Sequence, residues 1–111
     1  MSRTPFELEN ERDRESARLA LSGELDIATV PRVEAAVNAT LKSDVRTLTI
    51  DLSRLTFVDS SGLRMFLALD QRAAAEGWTM RLTRPTEQVL RSFRVSGVER
   101  ELRFVKEPSL T

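Results

Sequence analysis

Histidine is missing from all 111 residues, and that absence excludes more chemistry than anything else in the chain. Without it there is no Ser-His-Asp or Cys-His nucleophile, no His-based zinc site and no phosphohistidine relay. Cysteine is missing too, which fits a reducing compartment and leaves no disulfide framework. Only four glycines occur, none in a Walker-type phosphate loop, so the chain is not expected to hydrolyse nucleotides by itself. Residues 1–10 lack the apolar core of a signal peptide. No stretch approaches the ~20 apolar residues of a membrane span, so a cytoplasmic protein without membrane insertion is expected. Seventeen basic residues balance seventeen acidic ones. A zero net charge argues against direct nucleic-acid binding through phosphate neutralisation. What remains is one domain, residues 1–111, large enough to bury a core without metal or disulfide support.

Hydrophobic periodicity supplies the fold class. Phe6 and Leu8 alternate with Glu7 and Glu9, and Ala17, Leu19 and Leu21 alternate again, so a hairpin is expected with residues 10–15 as its charged turn. Gly23-Glu24-Leu25-Asp26 is expected to break the second strand. Val30, Val33, Ala36, Val37 and Leu41 mark an amphipathic helix, with Thr29 as its cap and Pro31 in its first turn. Leu48, Ile50 and Leu52 form a central strand, and a polar break precedes Leu55, Phe57 and Val58. A helix follows with Leu63, Phe66, Leu67 and Ala74 on one face and Gly77 as its stop. Trp78 to Leu82 alternate as a strand, Thr86 opens a short helix that ends by Gly97, and Leu102, Phe104 and Val105 suggest a last strand before a frayed tail. This order predicts an α/β domain whose sheet is mixed but mostly parallel, with one antiparallel edge strand.

The chemistry is expected where the central strand meets the next helix, in Phe57-Val58-Asp59-Ser60-Ser61-Gly62-Leu63. A helix start offers unpaired N–H groups and the positive end of the macrodipole. Capping alone accounts for one polar residue, yet three stand together. Gly62 then gives up about 0.5–1 kcal/mol of helix propensity relative to Ala, which suggests close approach by a partner. Asp26 also follows a strand, so it should share one end of the domain with this run. A turn or capping role is the reading favoured for Asp26 by its residue type and position.

Taken together, Gly23-Glu24-Leu25-Asp26, Leu48-Thr-Ile-Asp-Leu-Ser53, the Asp-Ser-Ser-Gly run and Phe93-Arg-Val-Ser-Gly-Val98 resemble a single STAS domain of the anti-sigma factor antagonist family over nearly the full length. The resemblance implies a partner switch, with Ser60 as phosphate acceptor and no catalytic machinery or cofactor of the chain's own. The unphosphorylated form would bind an anti-sigma factor that is also a serine kinase and thereby free a sigma factor. That kinase would bring ATP and magnesium, phosphorylate Ser60 and let go, and a metal-dependent serine phosphatase would reset the switch. Asp26, Asp59, Ser61, Gly62, Leu63 and Arg64 are the expected partner-binding residues, with Ser61 as N-cap and Ser60 projecting. The helix dipole is expected to tolerate the added phosphate. Arg64 stands where many family members carry a small residue. The spacing of Met65 and Leu69 is expected to leave apolar surface on the outer helix face, either interface or core overlap.

Three alternatives stay open at this stage. A non-switching STAS adaptor, as a subunit of a lipid-transport ATPase or a stress-sensing scaffold, would share the fold without the switch. A receiver-like phosphoacceptor would use Asp51 with Lys106, but lacks the early acidic pair that holds magnesium. A serine hydrolase would need the missing histidine.

Overall fold

A computed structural model describes residues 5–105. Five strands and three helices follow in the order β1 (Glu7–Asp13), β2 (Ser16–Leu25), α1 (Val30–Leu41), β3 (Thr47–Val58), α2 (Ser60–Glu76), β4 (Thr79–Thr83), α3 (Glu87–Ser96) and β5 (Phe104–Val105), with a 3₁₀ turn at Val98–Arg100 before β5. The strands lie side by side in chain order. β1 and β2 are antiparallel and every other pair is parallel. The expected tail at residues 108–111, and Lys106, lie outside the described residues.

Alternation divides the sheet into two unlike faces. Leu19, Leu21, Leu48, Ile50, Leu52 and Leu82 are buried against Val33 and Val37 of α1 and Phe66 and Leu69 of α2. α3 joins this core through Phe93, whose ring stacks on Phe66 at 6.0 Å and meets Phe104 edge-on at 5.3 Å. The other face is polar where it is most enclosed. Asp51, only 3% exposed, pairs with Arg18 of β2 and accepts from the Thr83 hydroxyl of β4 (2.8 Å) and from Ser53 N (2.9 Å). Burial raises its pKa, but the Ser53 and Thr83 hydrogen bonds and the Arg18 charge outweigh burial and hold the carboxyl below its ordinary value. Asp51 is thus committed to cross-strand bonding and is not placed as an exposed phosphoryl acceptor.

Several local expectations are corrected. The hairpin turn is not residues 10–15: β1 and β2 stay paired to Asp13 and Ser16, and Arg14 takes the left-handed first position (φ 57°) of a two-residue connection. Gly23 does not end β2. It sits at φ 85° beside a register shift, and the strand continues to Leu25. The polar break in the central strand is likewise no break, because β3 runs unbroken from Thr47 to Val58. In α2 the buried alanine is Ala73, while Ala74 is exposed. Met65 and Leu69 are buried at 4% and 5% exposure, since α1 lies alongside α2, so they offer no outer apolar surface. The stops at Gly77 (φ 80°) and Gly97 (φ 82°) stand as expected, and α3 opens at Thr86, which caps it.

Candidate functional site

β2 and β3 end side by side, with Leu25 paired to Val58, and this register brings the two acidic segments together. Asp59 N donates to Leu25 O (3.1 Å), and Ile27 N donates to Asp59 Oδ2 (3.3 Å). Asp26 and Asp59 therefore border one surface at the carboxyl end of the sheet. The place is the one that parallel topology predicts for ligands and partners.

Asp59, not Ser61, is the N-cap of α2. Its backbone is extended (φ −98°, ψ −176°), which lets Oδ1 accept from Ser61 N (2.9 Å) and Gly62 N (3.2 Å). A carboxylate one residue before the helix reaches the open amides and meets the positive end of the dipole, so it outcompetes a hydroxyl already inside the first turn. Ser60 becomes the first helical residue. It is exposed, and no hydrogen bond ties its hydroxyl to any other group among the described residues. Ser61 is half-buried beside it.

Gly62 is buried, and its missing side chain has an internal reason. A Cβ there would stand 2.6 Å from Val58 Cγ2 and 3.0 Å from Leu25 Cδ2, so glycine lets the helix start press against the strand ends. Leu63 is also buried, at 6% exposure, whereas Arg64 is exposed. Asp26 is half-buried and makes a tight turn, with Oδ1 accepting from Ala28 N (3.0 Å) and Thr29 N (3.2 Å). Thr29 occupies the N-cap position of α1 but does not cap it with its side chain. Its hydroxyl instead turns back to accept from Asp26 N (2.9 Å).

The periodicity reading overlooked α3 as part of this region. A groove of about 360 Å³ runs beside the start of α2, lined by Asp59, Ser60 and Leu63 on one side and by Arg91, Val95 and Ser96 on the other. Val95 is 82% exposed, and Ile27, next to Asp26, is 75% exposed. A signal for Val95 was available. Val89, Leu90 and Phe93 define the buried face of α3, and Val95 is an apolar residue outside it. Among the described residues no three His, Cys, Asp or Glu side chains are grouped to hold a metal ion, and no helix is long and apolar enough to cross a membrane.

The family model described as "Mlab, STAS domain" matches residues 8–106. The chain is similar to an anti-sigma-B factor antagonist of Listeria monocytogenes, 26% identical over 88 residues that cover 79% of this chain and 77% of the relative. It is also similar to the anti-sigma factor antagonist SpoIIAA in its unphosphorylated form, at 29% identity and a TM-score of 0.73 over 93% of this chain and 90% of that one. The Bacillus cell fate determinant SpoIIAA in its phosphorylated form matches at 28% identity and a TM-score of 0.67, covering 93% of both chains. With its strand order, its helix-capping Asp-Ser-Ser-Gly run and a family match across almost its whole length, this chain belongs to the STAS domain family.

Proposed function

We propose that this chain is an anti-sigma factor antagonist whose binding to an anti-sigma serine kinase is switched off by phosphorylation of Ser60. The observation that carries this reading is the division of labour at the start of α2. Asp59 does the capping, and the adjacent Ser60 is exposed, its hydroxyl uncommitted among the described residues. Similarity to an anti-sigma factor antagonist known in both unphosphorylated and phosphorylated forms supports it.

In the proposed cycle the γ-phosphoryl group of ATP passes to Ser60 Oγ, the hydroxyl proton leaves and ADP is released by the kinase. A serine phosphatase hydrolyses the phosphoserine and restores the binding form. Asp26, Asp59, Ser61, Leu63 and Arg64 surround the acceptor and contribute to the docking surface, while Gly62 shapes it from beneath. New charge at the centre of that surface repels a partner that had packed against a neutral serine.

The test is binding of the purified chain to anti-sigma kinases of the same genome, with ADP and then ATP. Wild type and Ser60→Ala are expected to bind with ADP, ATP to release only wild type, and Ser60→Asp to bind poorly. Identical behaviour of all three overturns the switch. Capture of a transport ATPase in place of a serine kinase would support the adaptor reading instead.

A further inference from the structure

A phosphate on Ser60 enters surroundings that are already negative and short of donors. Asp59 is its chain neighbour, and Asp26 borders the same surface. Most of the amides that would ordinarily receive an anion are occupied: Asp59 Oδ1 holds Ser61 N and Gly62 N, and Leu63 N is bonded to Asp59 O (3.1 Å), which leaves the amide of Ser60 itself. The macrodipole supplies the equivalent of about half a positive charge. The phosphate brings about −1.5 to −2. Side chains must therefore supply the balance.

Two arginines are placed to do so. Arg64 lies four residues after Ser60, one turn along the same face of α2. Arg91 of α3 lines the groove that Ser60 lines. Both are exposed, and among the described residues neither makes an ion pair or a side-chain hydrogen bond, so both guanidinium groups are available to an incoming anion. A guanidinium fork binds phosphate oxygens two at a time, the geometry needed to hold such a group from the side.

We propose that Arg64 and Arg91 bind the phosphate carried by Ser60, joining α2 to α3 across the groove in the phosphorylated form. This rests on Ser60 as the acceptor and adds a second cause of partner release. The phosphate and its arginines occupy the opening beside Val95, so the docking surface is closed as well as recharged.

Phosphoserine installed at position 60 during translation tests this without any kinase. Followed by ³¹P NMR, its second ionisation is expected about 0.5–1 pH unit lower in the wild-type background than in Arg64→Gln/Arg91→Gln, with each single variant between. Asp26 and Asp59 are present in every sample and cancel from the comparison. The Nε–Hε signals of Arg64 and Arg91 are expected to move on phosphorylation while those of Arg72 and Arg94 stay. Superimposable titrations with unmoved arginine signals overturn the proposal, even if ATP still releases a kinase. Lowered ionisation with moved signals upholds the phosphate site, even if no serine kinase binds the chain.

Discussion

Replacing Gly62 with alanine sets two effects of known sign against each other. In the third position of α2 alanine gains at most about 1 kcal/mol of helix propensity over glycine. Against this, the new methyl would lie 2.6 Å from Val58 Cγ2, 3.0 Å from Leu25 Cδ2 and 3.2 Å from Leu25 Cγ. Carbon atoms settle at about 3.5–4.0 Å, so the first turn of α2 must lift by roughly 1 Å or Val58 must leave its rotamer. Both neighbours are buried, at 0% and 3% exposure, and have little room to yield. Overpacking of this kind costs about 1–3 kcal/mol, and after the propensity gain a net loss of about 1 kcal/mol is expected. For a domain of 111 residues that is about 4 °C in melting temperature. Urea unfolding followed by the fluorescence of Trp78, the single tryptophan and a buried one, measures it. Val58→Ala completes a double-mutant cycle and should recover about 0.5 kcal/mol or more of the Gly62→Ala loss by removing the obstructing methyl. A Gly62→Ala protein at least as stable as wild type, or an additive cycle, would refute the packing argument.

Asp51→Ala should destabilise the domain by about 3 kcal/mol in the same assay, because it leaves the Thr83 hydroxyl without its acceptor and Arg18 with the more distant, exposed Glu11 (3.8 Å) in place of its close partner. Since the Asp51 pKa is lowered in the folded protein, its contribution is complete above the ordinary carboxylate range and is lost as pH falls through the folded value. Asp51→Asn should therefore flatten the acid limb of a stability–pH profile below about pH 4. Gly23→Ala places a Cβ 2.0 Å from the Pro5 carbonyl oxygen at φ 85°, and backbone cannot swing aside. Its loss in the same urea assay should exceed the roughly 1–2 kcal/mol of a left-handed side chain alone.

Element order and sheet architecture were legible because each helix and most strands carry a full period of apolar residues between strong stops. Gly77 and Gly97 end α2 and α3 as expected, and Thr86 caps α3 through a hydrogen bond to Val89 N (3.4 Å). That Asp26 and Asp59 share one end of the sheet was legible from topology alone. The cap was misassigned because Asp59 and Ser61 are both good capping types, and only the extended backbone at Asp59 decides between them. Met65 and Leu69 were misplaced because a helix wheel shows which residues share a face but not how many neighbours cover it. α1 widens the buried stripe of α2 beyond what one helix reveals. Val95 and Arg91 are not legible as neighbours of Ser60 because only tertiary packing brings their distant segment to the groove that Ser60 lines.

The mismatch between β2 and β3 has a consequence for how this domain can change. β3 gains one residue on β2 between the Ala20 and Ser22 pairings and another between Gly23 and Glu24. At each slip two successive residues of β3, first Ser53 and Arg54, then Thr56 and Phe57, turn outward together. A single slip exchanges the inner and outer sides of everything downstream. Two slips bring the strand back into phase, so Val58 points inward and Asp59 arrives in position to cap. A one-residue deletion in this stretch would reverse Val58 and swing Ser60 out of place. A two-residue deletion would keep the phase but draw Ser60 back by about 7 Å, the length of two strand residues. The stretch from Ser53 to Phe57 works as a fixed-length spacer, and its length should vary less among related domains that keep the Asp-Ser-Ser-Gly run than the identity of the residues within it.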